Sequence, residues 1–375
     1  MTFLNLLLFF CCWSLTVSAA DNSWTEKWSF KGDFHFRNEQ IKDGANTSGS
    51  SMVEAERNRH RLRARVTATA KVNEAVETTF RLATGDTTVA GTTSTNQDFT
   101  GYGAKKAFDL DLAYANWRSR NTAQVWMGKS PSPYYQPGTS DLLLDSDLTP
   151  EGISYKDHCK GEKADVFWNF GYSVLSEQHN STIPQSQTDV MMTGADLGMT
   201  TGVGDANVTL GVGTLSFPNI RDTTQISAGS SFAKGNSATS NTYTYKYEIT
   251  RGFLEITAPL FGAPAALFVD YAKNSDPSDE NIAQLFGIKI GRLKEAGDLI
   301  FSTDYRDIKK DSTVGILADS DSSGGGTDIK STRYSFQYQL DKGIVLVASY
   351  YEGKRNVSTL NIPYVRAQFD ANFSF

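Results

Sequence analysis

Apolar and polar side chains alternate with a period of two along most of this chain. Between Trp24 and Arg37, the residues Trp24, Trp28, Phe30, Phe34 and Phe36 share one parity, while Thr25, Lys27, Ser29, Lys31, Asp33, His35 and Arg37 share the other. An extended strand puts these sets on opposite faces, one aromatic and one charged. The chain ends in the same way: Val365, Ala367, Phe369, Ala371, Phe373 and Phe375 alternate with Arg366, Gln368, Asp370, Asn372 and Ser374. The same rule predicts strands near 53–72, 75–85, 106–118, 122–130, 151–157, 163–175, 188–200, 206–217, 241–257, 264–273, 281–293, 296–308, 327–341 and 343–353, sixteen with the two terminal ones.

The connections alternate as well. Long ones, near 38–52, 86–105, 131–150, 176–187, 218–240, 274–280, 309–326 and 354–362, are rich in Gly, Ser, Thr, Asn and Asp. Between them fall tight turns such as Asn73-Glu74, Gly202-Val203-Gly204-Asp205 and Asp341-Lys342-Gly343. A soluble antiparallel sandwich also alternates its faces, but it has no reason to sort its connections by length. A bacterial outer-membrane barrel does, with short periplasmic turns, long extracellular loops and an even number of strands. Hydrocarbon offers no partner to an unpaired backbone amide, so a sheet in lipid closes on itself. The expected fold is therefore all-β, a transmembrane antiparallel β-barrel of sixteen strands whose lumen is too wide for side chains to fill. Tyr243, Tyr245 and Tyr247, at the start of the strand expected over 241–257, suit an interfacial aromatic girdle. Plain strand propensity accounts for them equally well.

Residues 1–20 read as a cleaved secretory signal. The apolar run from Phe3 to Trp13 is shorter than the ~20 residues that span a bilayer as a helix. Val17-Ser18-Ala19-Ala20 supplies small residues for cleavage near Ala19 or Ala20, although no Lys or Arg precedes the run. Residues 21–375 then form the barrel. Cys11 and Cys12 leave with the signal, and Cys159 alone cannot make an internal disulfide. His158 beside it has no second ligand cluster at a recognisable spacing, so neither a metal nor a cofactor is expected. The net charge of −6 is mildly acidic and argues against nucleic acid as a partner.

Charge matters most on the second strand. Arg57, Arg59, Arg61, Arg63 and Arg65 occupy consecutive positions of one face, opposite Asn58, His60, Leu62, Ala64 and Val66. They extend about 26 Å along the strand, and each would cost ~2–4 kcal/mol near the midplane if it faced lipid. They are expected to line the lumen, either shaping its field toward anionic and polar solutes or pairing with carboxylates on the inner wall. The third long loop carries Asp141, Asp145 and Asp147, with Glu151 just beyond, around the triplet Leu142-Leu143-Leu144. Three consecutive leucines suit a loop anchored on the inner wall with its acids toward the lumen. An ordinary extracellular loop is the alternative.

The terminal strand ending on Phe373 and Phe375 resembles the C-terminal signature of Gram-negative outer-membrane proteins, which implies recognition by the barrel assembly machinery. Trp126-Met127-Gly128-Lys129, and Asp147-Leu148-Thr149-Pro150-Glu151-Gly152 beyond the loop, are similar to the "Putative porin" family. The whole mature chain resembles a sixteen-stranded Gram-negative porin. That resemblance implies a third loop folded inward, opposing Asp141, Asp145, Asp147 and Glu151 to the bases Arg57 to Arg65, and a homotrimer in outer-membrane lipid. Outward Ala64, Ala68 and Ala70 would suit a trimer interface and also plain lipid contact. The chain departs from the classical enterobacterial pattern in lacking a Pro-Glu-Phe motif in the third loop.

The expected function is a porin: a water-filled channel for passive diffusion of small hydrophilic solutes and ions across the outer membrane of a Gram-negative bacterium. The rivals are a substrate-selective channel for phosphate or another anion, and an adhesive surface barrel with a plugged lumen. Catalysis is not expected. The chain has no phosphate loop, zinc-protease helix or Gly-x-Ser-x-Gly elbow, and only four histidines.

Overall fold

The structure, a computed structural model, describes residues 26–44, 55–85, 93–99, 101–119, 122–177, 189–221, 233–239 and 242–375. The expected signal lies outside the described residues. Sixteen long strands follow one another: β1 (Trp28–Asp43), β2 (Ala55–Lys71), β3 (Val76–Gly85), β4 (Ala107–Ser119), β5 (Ala123–Lys129), β6 (Glu151–Lys160), β7 (Ala164–Ser176) and β8 (Val190–Val203). Then come β9 (Ala206–Ser216), β10 (Glu248–Leu260), β11 (Ala263–Asn274), β12 (Ile282–Gly291), β13 (Leu299–Ile308), β14 (Ile329–Asp341), β15 (Ile344–Arg355) and β16 (Ile362–Ser374). Each pairs antiparallel with its neighbours in sequence. β16 returns to β1, with Asp33 opposite Ser374 and Arg37 opposite Asp370, so the sheet is a closed barrel. Among the described residues no helix is long and apolar enough to cross a membrane. The strands cross it instead.

Burial is inverted relative to a water-soluble protein. Phe30, Phe80, Phe170, Leu197, Leu267 and Phe301 stand exposed on the outer wall, Phe30 at 65%, because hydrocarbon is their solvent. His35, Glu39, Asn116, Asn169, Asp196 and Arg306 are buried on the inner wall. The two faces are those read from the alternation.

Connections at one end are tight. Asn73 Oδ1 accepts the backbone N–H groups of Ala75 and Val76, each at 2.9 Å, closing the β2–β3 turn. Phe261 and Gly262 join β10 to β11 with φ of 50° and 81°, the two left-handed residues that a short hairpin turn requires. At the other end the third long loop, 130–150, and the seventh, 309–328, fold back into the barrel. Leu142, Leu143 and Leu144 pack there with Phe217, Tyr247 and Leu317 in a buried apolar cluster against the inner faces of β8 to β14.

One expectation fails here. The tenth strand starts at Glu248, not near 241, and Tyr243 and Tyr247 are 1% and 0% exposed inside that cluster. Tyr245, between them, is also off the strand and only half-buried. These tyrosines do not form a lipid-facing girdle. The segment bends inward, where two ring faces removed from water outweigh the strand pattern.

Candidate channel constriction

The five arginines of β2 all face inward, each bound to a carboxylate. Asp33 of β1, opposite Arg65 in register, takes Arg65 at 2.7 Å and Arg63 at 2.9 Å. Glu39, opposite Arg59, binds Arg59 and Arg366 of β16. The second long loop returns to the wall, where Gln97 and Asp98 pair with Leu62 and Arg61 of β2. Asp98 then accepts Arg57 at 2.7 Å, Arg61 at 2.9 Å and Arg59 at 3.2 Å. Five guanidinium groups therefore share three carboxylates. Asp98 is the partner that sequence reasoning missed, since a loop residue's register cannot be read from alternation.

The third loop is held against the opposite wall by two tyrosines. Tyr134 Oη sits over the inward glycines of β7 and β8: a Cβ at Gly171 or Gly194 would meet it at 2.5 Å or 2.6 Å. Tyr135 stacks on Phe253 of β10 with ring centroids 5.0 Å apart and lies 5.4 Å from Phe167 of β7. Those two rings in turn lie over Gly211 and Gly198, leaving room for the loop. Polar contacts complete the anchor. The Tyr135 N–H donates to Asp196 at 2.8 Å, its hydroxyl to Glu255 at 2.9 Å, and Arg251 donates to its carbonyl at 2.9 Å. The inward folding expected from the leucine triplet is what the chain adopts.

The four expected acids part company. Burial pushes the Asp147 carboxyl up, against the opposing effect of the Arg63, Arg65 and Arg37 charges on the wall. Of the four expected acids it is the one on which the ladder's charge acts. Asp141 turns to Arg306 of β13 at 3.3 Å. Asp145 turns to the seventh loop, accepting the Ser320 N–H at 3.2 Å. Glu151 is a correction: it opens β6 on the parity of the exposed Ile153, opposite to buried Ser154, and binds Lys129 at 3.0 Å on the outer rim. The triplet carries the chain inward only as far as Pro150, and the strand's pleat then turns Glu151 away from the lumen.

The seventh loop is a second inward element. Asp319 takes Arg306 at 2.7 Å, and Asp321 takes Arg366 at 2.8 Å and Arg37 at 3.5 Å. Arg366 and Arg37 hold the Asp321 carboxyl well below the usual range, against the opposing effect of burial, which is the largest influence on it. The run Val314-Gly315-Ile316-Leu317-Ala318, followed by two aspartates, has the composition of the third-loop triplet and could have signalled this.

At the seam, Phe375 pairs with Gly32: the Gly32 N–H donates to its carbonyl at 2.8 Å, and its own N–H donates back at 3.0 Å. Phe373 packs on Phe34 with centroids 6.0 Å apart.

A closed sixteen-stranded barrel with an apolar exterior, a charged lumen and an inward third loop defines an outer-membrane channel. The sequence profile of the family described as "Putative porin" matches residues 44–252, and the chain belongs to that family. It is a multi-pass barrel of the Gram-negative outer membrane. No curated protein matches it in sequence. Among solved structures it is similar to OprB of Pseudomonas putida, with a TM-score of 0.60 and 9% identity over 94% of this chain and 96% of that one. It is also similar to OmpF of Salmonella typhi, with a TM-score of 0.52 and 11% identity over 93% and 97%. These likenesses are of fold.

Proposed function

We propose that this porin passes small hydrophilic solutes by size-limited diffusion through a gap between the arginine ladder of β2 and the inward third loop. The observation that carries it is the inward arginine ladder of β2 facing a third loop that is docked on the opposite wall through Tyr134 and Tyr135. Opposed charges across a narrow passage orient dipolar solutes and ions without binding any of them tightly. Proteoliposome swelling tests it: small neutral sugars should enter at rates falling smoothly with size, without saturation. Saturable uptake of a single solute would overturn it in favour of a substrate-selective channel.

A second reading, anion preference, is favoured by the ladder itself, because three carboxylates serve five guanidinium groups. A zero-current potential of anion-selective sign in a salt gradient supports it, and a cation-selective sign refutes it.

The partners are read in the same way. Outward Ala64, Ala68 and Ala70 lie beside a polar patch in which Asn38 Nδ2 is 3.2 Å from His60 Nδ1. Polar groups on an outer wall are better served by protein than by lipid, which favours a homotrimer assembled through this face. The Phe373 and Phe375 ending favours delivery by the barrel assembly machinery. We read the chain as a channel without enzymatic activity. Hydrolysis in a lipid and peptide screen would overturn that.

A further inference from the structure

The third and seventh loops meet inside the barrel at a point short of cations. The Asp145 N–H donates to the Leu317 carbonyl at 2.7 Å. Among the described residues its carboxylate accepts backbone donors alone, Asp147 N–H at 2.8 Å and Ser320 N–H at 3.2 Å. Among the described residues no lysine or arginine pairs with it. Beside it, Arg306 alone serves Asp141 at 3.3 Å, Asp304 at 2.8 Å and Asp319 at 2.7 Å, and Asp304 also takes Arg333 at 2.7 Å. Four carboxylates thus face two guanidinium groups, next to the buried Leu142, Leu143, Leu144 and Leu317. A low-dielectric site with two surplus negative charges cannot keep every acid ionised.

We infer that the two loops form a proton-sensitive latch: while protons are shared among these acids the third loop stays docked on the seventh, and when the protons leave, carboxylate repulsion releases it. The groups acting on Asp145 are Asp141 and Asp147 on its own loop and Asp319 on the seventh, and those acting on Asp141 are Asp319, Asp304 and Arg306 on β13, and Arg333 on β14. Burial first, and then the Asp319 carboxylate, push Asp141 up to about 7 and Asp145 up to about 8. Carboxyls raised in the docked state favour docking at low pH, and that contribution is lost as the pH rises through about 7 to 8. The seventh loop stays behind, because Arg366 and Arg37 grip Asp321. Release therefore widens the lumen on the third-loop side.

The inference rests on the channel reading, so the test uses neutral sugars, whose flux does not respond to charge. Full-length protein in liposomes is assayed by swelling in a series of neutral mono- to tetrasaccharides between pH 5.5 and 9. The wild type should admit the larger sugars several-fold faster above pH 8, whereas Asp145→Asn and Asp141→Asn/Asp145→Asn should keep the low-pH size limit at pH 9. Asparagine reproduces the shape of a protonated aspartate, and heat-modifiable gel mobility checks that each variant folds. A size limit that ignores pH in the wild type, or one that still shifts in the double variant, overturns the latch. A folded barrel that passes no sugar at any pH overturns the channel reading itself, and the latch falls with it.

Discussion

The ring of Phe375 covers Gly32 across the seam where the last strand meets the first, so closely that a Cβ at Gly32 would collide with it. The two residues also exchange both backbone hydrogen bonds. Closure of the barrel and the docking of Phe375 on Gly32 are thus one structural event.

Gly32→Val should weaken that seam by about 1–3 kcal/mol, the usual cost of overpacking. Deleting Phe375 removes the pair altogether. Both variants should lose heat-modifiable gel mobility at lower urea than the wild type, and the deletion should also accumulate unassembled protein. Unchanged urea midpoints would mean that the seam contributes nothing.

Replacing Arg57, Arg59, Arg61, Arg63 and Arg65 with serine removes the arginines that pair with Asp33 and Asp98 among the described residues. The zero-current potential in a salt gradient should move toward cation selectivity. Asp98→Asn should move it the opposite way, since three arginines lose one shared carboxylate. A potential indifferent to both changes would leave the ladder a purely structural role.

The inward ladder was legible because five arginines of one parity have only one tolerable face in a membrane. The sixteen strands were legible for the same reason, and so was the inward third loop, whose leucine triplet has no business in water. Contacts between connections were not. Asp145 meets Leu317 across the barrel, and neither segment carries a local trace of the other. The tyrosines at 243 and 247 read as strand because period-two patterning cannot tell an outer wall from a buried loop. Glu151 shares the parity of Ile153, so the strand's own pleat, and not proximity to the acidic loop, decides which way it faces.

Arg251 is buried between Asp196 at 3.7 Å and Asp270 at 2.8 Å, and it also holds the Tyr135 carbonyl. Arg251→Leu strands two buried carboxylates and should cost about 3–5 kcal/mol, read as a lower urea midpoint. Tyr135→Ala should cost less stability but free the third loop. Its expected signature is a several-fold faster entry of disaccharides, and an unchanged rate would show that the loop is anchored elsewhere.

Asp321 carries the opposite pH sense to the latch acids. Its carboxyl is depressed, so its stabilisation is complete above the ordinary aspartate range and is lost only as the pH falls through its own low value. Amide hydrogen exchange across 314–328 should therefore stay slow, after correction for intrinsic rates, at pH 4 as at pH 7. In Asp321→Asn it should quicken at both. Rapid exchange in the wild type at pH 4 would show that the Arg366 pair does not hold the loop.

The central claim is that water, not protein, fills the space between the arginine ladder of β2 and the inward third loop. Single-channel recording in planar bilayers tests it most directly. A water-filled lumen gives discrete insertions whose current is linear in voltage and rises in proportion to salt concentration. A protein that inserts, folds and never conducts would contradict it, and the barrel would then be a plugged surface anchor.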